Sequence, residues 1–214
     1  MSAAAKKPAV CAEVKAVRVH APHDLRVETV PVPELSPHQV EVKIERGGIC
    51  GSDLHYYHEG GFGTVRIKEP MVLGHEIAGT VVRLGSAATH VKIGQRVAVN
   101  PSLACGHCVF CQRGLQAHCL DMRFFGSAMR FPHVQGGFRE RLVCHETQAV
   151  AVRDGLGAEV AAFAEPLAVC LHAIKRAGPL AGASVLVTGS GPIGCLTILA
   201  ARHAGAAEIV ATDI

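Results

Sequence analysis

The chain has 214 residues, 49% of them apolar and 18% charged, with a formal net charge of +3 at pH 7. That length and composition suit one or two globular domains with a sizeable core, and exclude a disordered or fibrous class. Its 21 Lys and Arg residues are scattered with no basic block, so no nucleic acid or anionic membrane is expected as a partner.

The start, Met1-Ser-Ala-Ala-Ala-Lys-Lys-Pro8, is charged but lacks the apolar stretch of a secretory signal. Together with nine cysteines, an odd number, this points to a reducing cytoplasm. From about Ala16 to Val150 the text is strand-like. Val-Glu-Val-Lys-Ile at 40–44, Gly-Thr-Val-Val-Arg-Leu at 79–84 and Arg-Val-Ala-Val at 96–99 are β-branched runs set off by Gly, Pro and Asn. An antiparallel, barrel-like domain is expected there.

Within it lies C-G-H-C-V-F-C-Q-R-G-L-Q-A-H-C, which holds Cys105, Cys108, Cys111 and Cys119. Four thiols this close cannot all pair as unstrained disulfides, whereas four thiolates close a tetrahedron around one Zn²⁺. Such a site has no open coordination position, so it builds structure and the chemistry is sought elsewhere.

Near Gly155 the pattern turns Ala-rich and helix-forming through Arg176. A strand (184–188), a glycine turn, a helix (about 192–204) and a second strand (208–212) follow, predicting one β-α-β unit. Residues 177–201 carry no charge and on hydropathy alone resemble a membrane span. Gly178, Gly182, Gly189, Gly191 and Gly194 with Pro179 and Pro192 argue instead for a strand, a tight turn and a packed helix.

The turn reads Gly189-Ser-Gly191-Pro192-Ile193-Gly194, with Asp213 ending the next strand. This is the dinucleotide fingerprint: glycines for the turn, the pyrophosphate approach and helix-strand packing, and a helix N-terminus facing the phosphates. The Asp213 carboxylate suits ribose hydroxyls and repels a 2′-phosphate, favouring NAD, with NADP possible. A doubly wound sheet commonly has six strands, so roughly 100 or more further residues are expected to complete it. The stretch is then a fragment, not expected to turn over substrate alone.

Cys50, His75 with Glu76, and Glu165 are drawn from three separated segments. A thiolate, an imidazole and a carboxylate together make the open site a catalytic zinc needs. By spacing alone, Cys50 reads equally as a small core residue, His55 as a turn cap, and Glu165 before Pro166 as a helix break.

The combination of G-H-E-I-A-G at 74–79, the four-cysteine lobe and G-S-G-P-I-G at 189–194 resembles the zinc-dependent medium-chain dehydrogenase/reductase family. Glu165 in A-F-A-E-P-L-A-V is similar to its polyol dehydrogenase branch, where a Glu stands at the position of a Cys ligand in alcohol dehydrogenases. G-G-I-C-G-S-D-L-H-Y-Y at 47–57 and D-M-R-F-F-G-S-A-M-R-F-P-H-V-Q-G-G-F at 121–138 resemble sugar-acid members of that branch.

The resemblance implies an α/β plus β fold: a GroES-like β-barrel catalytic domain over 1–178, then the start of a Rossmann NAD-binding domain over 179–214. It implies two zinc ions per chain and a homo-oligomer, dimer or tetramer, at full length. Cys50, His75 and Glu165 then hold the catalytic zinc, Glu76 ligates or exchanges with water, and Asp53 supports His75. Ser52 and His55 resemble the proton-release route, and Tyr56 a residue on the substrate side.

Deprotonating an alcohol by histidine alone faces a gap of about 9 pK units, or roughly 12 kcal/mol, which a metal largely removes. The expected reaction is hydride transfer from a secondary alcohol to nicotinamide. For a sugar-acid substrate, Arg123 or Arg130 is expected to grip the carboxylate with two hydrogen bonds, with His133 as a further polar contact. The alternatives are a neutral polyol dehydrogenase, for sorbitol or xylitol, and a non-catalytic, zinc-stabilised fragment.

Overall fold

Residues 12–214 are described by the structure, a computed structural model. Residues 1–8, on which the expectation about a secretory signal rests, lie outside them. The chain divides into two compact units between Ala162 and Phe163.

In the first unit, β1 (Ala12–Ala21) and β2 (Asp24–Val32) form an antiparallel hairpin. After β3 (Gln39–Gly48) come α1 (Gly51–Glu59) and the small pair β4 (Gly61–Phe62) and β5 (Val65–Arg66). The short β6 (Met71–Val72) pairs with β1. Next come β7 (Glu76–Leu84) and β8 (Arg96–Val99), then β9 (Ser102–Leu103), α2 (Val109–Gln112) and β10 (Arg123–Phe124). Pairing of β9 with β10 closes the base of the cysteine lobe. Finally β11 (Arg141–His145), β12 (Ala149–Ala151) and α3 (Ala158–Ala161) complete the unit. The main sheet is antiparallel throughout, in the order β11-β3-β7-β8-β12.

The alternation read from the sequence builds this sheet. Side chains along a strand point to opposite faces, so Val40 and Val42 share one face with Val97, Val99 and Leu142 in a buried cluster. Glu41, between them, points the other way. It is buried beneath Arg83 and Arg141, whose guanidiniums lie 3.0 and 2.8 Å from its oxygens, as a buried charge requires. Ala78 and Ala98 pack with Ala158, Ala161 and Ala162, and their small size lets α3 lie close against the strands.

The second unit holds α4 (Ala164–Ala177), β13 (Ser184–Thr188), α5 (Pro192–His203) and β14 (Glu208–Thr212). The strands are parallel, with Ser184 opposite Glu208 and Thr188 opposite Thr212, so the expected β-α-β unit is present. The apolar stretch at 177–201 is one strand and a 12-residue helix, and no described helix is long and apolar enough to cross a membrane.

One element differs from the sequence expectation. The Ala-rich run is two helices, α3 and α4, and by contacts the chain divides between Ala162 and Phe163, with α4 packed on α5. Pro166 sits in the first turn of α4, where the missing N–H costs nothing.

Candidate metal centres

Register brings Cys50 and His75 together. In the β3–β7 ladder Gly48 lies opposite Glu76, so the residues leaving β3 and those entering β7 emerge side by side. Cys50 precedes the first turn of α1, and Asp53 within that turn fastens both segments. Its Oδ2 accepts the Cys50 N–H at 3.0 Å and its Oδ1 the Gly74 N–H at 3.1 Å. A carboxylate three residues into a helix also answers the unpaired amides there. The same Oδ1 stands 3.9 Å from His75 Nδ1, within ion-pair range.

Ligand atoms of Cys50, His75 and Glu76 lie within 4.8 Å of one another. Glu76 folds its carboxylate across Gly48, where a Cβ would strike Oε2. The His75 ring holds the Cys50 thiol below its ordinary range; burial opposes this, and Ser52 adds to it. Burial pushes the Asp53 carboxyl up, against the pull of His75 and the two amides. A thiolate, an imidazole and a carboxylate so placed fit a zinc ion.

The second cluster is the cysteine lobe. Cys105, Cys108, Cys111 and Cys119 present their sulfurs within 4.8 Å of one another, with Cys105 and Cys111 Sγ at 3.9 Å. Sulfurs about 2.3 Å from a tetrahedral zinc stand about 3.8 Å apart, so the four fit that ion. Amide donors already face the sulfurs: Cys119 Sγ accepts from Cys105 N–H at 3.2 Å and Asp121 N–H at 3.3 Å. The amides of Cys111 and Leu120 draw the Cys108 thiol down to about 6, while burial pushes Cys111 up to about 12. All eight cysteines among the described residues are free thiols.

A cleft of about 260 Å³ opens beside the first cluster, with Ser52, Phe62, His75, Phe124, Met129 and Arg130 in its wall. His75 therefore belongs both to the ligand cluster and to the cleft.

Residues 36–154 match the family model described as alcohol dehydrogenase GroES-like domain. Over 173 residues, 81% of this chain and 50% of the relative, the sequence is 53% identical to L-idonate 5-dehydrogenase (NAD(P)(+)) of Escherichia coli. The chain belongs to the zinc-dependent medium-chain dehydrogenase/reductase family.

Its similarity to the polyol branch extends to sorbitol dehydrogenase of Bacillus subtilis, 36% identical over 201 residues, 94% of this chain and 56% of that one. The crystal structure of the Escherichia coli L-idonate 5-dehydrogenase superposes with a TM-score of 0.89 at 45% identity, covering 95% of this chain and 58% of that one. The chain thus spans about half the length of the curated relatives it matches.

The structure distributes the expected site residues unevenly. Ser52 lines the cleft, whereas His55 is exposed on α1 with Nδ1 3.2 Å from Glu59 Oε1. Tyr56 also lines it but is buried, and its hydroxyl accepts the Ala128 N–H at 2.9 Å, which makes it a wall anchored to the backbone. Arg123 is exposed on β10 and is not part of the lining.

Arg130 borders the cleft, but its guanidinium is engaged by Leu120, Asp121 and Met122, so it does not stand ready to grip a carboxylate. His133 is buried with both ring nitrogens engaged, Nε2 accepting the Lys68 N–H at 2.8 Å and Nδ1 donating to Arg130 O at 2.7 Å. These partners satisfy the two ring nitrogens, so His133 is no free substrate contact. Glu165 lies in the first turn of α4, in the second unit.

What sequence reasoning missed is the apolar lining, Phe62, Phe124 and Met129. For Phe124 and Met129 the signal was the Met and Phe content of the 121–131 segment, in which only the charges drew notice; Phe62 comes from another segment.

In the second unit the glycine turn has the shape its residues predict. Gly189 has φ +90°, and a Cβ on Gly194 would strike the Gly189 carbonyl, so the helix meets the strand end closely. Gly191 starts α5 without a side-chain cap and Pro192 follows in its first turn, leaving the amides there for an anion. Asp213 turns its Oδ2 to the Ser190 N–H at 3.0 Å. With Ile193, the turn borders an open groove of about 590 Å³.

Proposed function

We propose that the protein oxidises a secondary alcohol of a sugar acid, L-idonate to 5-keto-D-gluconate, with NAD or NADP as acceptor. The observation that carries this is His75, shared between a zinc-type ligand cluster and the wall of a small cleft. The 53% identity to an L-idonate 5-dehydrogenase supports the substrate.

Cys50 and His75, with Glu165 as a further ligand and Glu76 exchanging, would hold a zinc ion, which would supply a Lewis acid that lowers the pKa of the substrate hydroxyl. A second zinc in the cysteine lobe holds structure, giving two per chain. Nicotinamide supplies the hydride acceptor. The amides opening α5 would meet the pyrophosphate, and Asp213 would accept from ribose hydroxyls, which favours NAD.

The remaining work falls to side chains of α1. Ser52 Oγ, in the cleft, takes the alcohol proton, and His55, one helical turn on and exposed, passes it to solvent. Asp53 holds the Cys50 and Gly74 amides, so that the ligand segments keep their spacing. The apolar lining excludes water from the reacting carbon. The parent protein is a cytoplasmic homo-oligomer with small-molecule partners.

The second reading, a neutral polyol dehydrogenase, is favoured by the engagement of Arg130 and by the sorbitol dehydrogenase relative. Steady-state kinetics of the full-length, zinc-loaded protein separate the two. A kcat/KM for L-idonate at least about 10-fold above that for sorbitol and xylitol is expected, a difference of about 1.4 kcal/mol. Equal or reversed preference transfers the assignment to neutral polyols.

A further inference from the structure

Arg130 joins the cleft to the cysteine lobe. Its Nη2 donates to Leu120 O at 3.0 Å, its Nε to Met122 O at 3.2 Å, and its Nη1 pairs with Asp121 Oδ1 at 2.8 Å. These acceptors are three consecutive residues directly after Cys119, the last sulfur of the lobe. The Asp121 N–H in turn donates to Cys119 Sγ at 3.3 Å. Met122 and Arg130 both line the cleft, and two residues on, the Phe124 ring stands 5.3 Å from the His75 ring, centroid to centroid.

The far side of Arg130 is anchored too. His133 donates to Arg130 O, accepts from the Lys68 amide, and gives its own N–H to Glu69 Oε1 at 2.6 Å. The backbone at 130 is thereby tied to the 68–69 segment, while its side chain holds the 120–122 segment. A guanidinium suits this because its planar fork spans several oxygens at once, where an ammonium is a point charge.

We propose that Arg130 is a positioning residue through which the cysteine lobe sets the wall of the substrate cleft. This rests on the dehydrogenase reading of that cleft. Occupancy of the lobe then tunes substrate affinity as well as stability, because Cys119, Asp121 and Arg130 form one connected path from the sulfurs to Met122.

The test uses the full-length protein with Arg130→Gln, Arg130→Lys and Asp121→Asn, cobalt-loaded for the release measurement and zinc-loaded for exchange and kinetics. Metal release from the lobe is followed by the thiolate absorption of bound cobalt in a Cys50→Ser background, where no thiolate of the first cluster contributes. Wall order is followed by hydrogen exchange over 120–131, and KM and kcat are measured for L-idonate and sorbitol without the Cys50 change.

Arg130→Gln should speed cobalt loss roughly 10-fold, deprotect 120–131, and raise KM for both alcohols roughly 10-fold with kcat within about 2-fold. Arg130→Lys should not restore these values, and Asp121→Asn should move them less in the same direction. A rise in KM for L-idonate alone, with cobalt release unchanged, would make Arg130 a carboxylate grip and overturn the proposal. Unchanged release and exchange would overturn it as well. If the unmodified protein oxidises neither alcohol, the functional reading falls, and release and exchange still decide the positioning role of Arg130.

Discussion

Glu146 and Asp53 are both buried carboxylates whose titration moves in opposite directions. Glu146 accepts the Thr89 and His90 amides at 2.6 and 2.9 Å, and Nδ1 of His38 and His90 at 2.8 and 2.9 Å. Those donors, the His90 and Thr89 amides foremost, hold its carboxyl well below the usual range. Asp53 meets two amides and a more distant imidazole, and there burial wins. Desolvation leads at Asp53 and donated hydrogen bonds lead at Glu146, and that balance sets the sign.

For Glu146 the folded-state pKa is depressed, so its stabilisation is full above the unfolded value of about 4.3 and fades as pH falls toward the folded one. Glu146→Gln should therefore lower Tm at pH 7, and the gap to the parent should narrow steadily below about pH 4.3 in thermal melts. A gap independent of pH would show that the carboxylate charge plays no part.

At the scale of elements, the β3–β7 ladder carries the first metal cluster. A Cβ on Gly79 would strike the Lys43 carbonyl across the ladder, so the strands approach this closely only because position 79 has no side chain. Gly79→Ala should cost about 1–3 kcal/mol, the range for overpacking, or very roughly 2–12 °C in Tm for a chain of this size. Zinc titration should show weaker binding at Cys50 and His75 with the cysteine lobe unaffected. Equal weakening at both would mean general unfolding and not a shift of β7.

The strand runs at 40–44, 79–84 and 96–99 were legible as β3, β7 and β8 because a pleat imposes its period on neighbouring residues. The break between α3 and α4 was not, because Ala favours helix on either side and packing of α4 against α5 decides where the unit ends.

For the whole molecule, the proposed function gives the cysteine lobe a structural role and the Cys50 cluster a chemical one. Cys108→Ser should mainly lower thermal stability, while Cys50→Ser should lose about one zinc equivalent and the dehydrogenase activity with the melting temperature nearly kept. Metal analysis beside calorimetry on the full-length protein checks both, and equal loss of fold in the two variants would refute the division.

The sequence by itself determined the features whose causes are local. Four thiols inside one short run, a glycine turn between strand and helix, and β-branched alternation are all set by near neighbours, and the structure holds each of them. Tertiary structure decided which distant residues meet. Cys50 reaches His75 through the register that sets Gly48 against Glu76, and Tyr56 meets the Ala128 amide 72 positions away. Arg130 reads in the sequence as a cation free to grip an acid, yet the fold turns it onto the 120–122 carbonyls and the Asp121 carboxylate. Residue type fixes what a side chain can donate or accept, while the folding of chain segments onto one another chooses the partner.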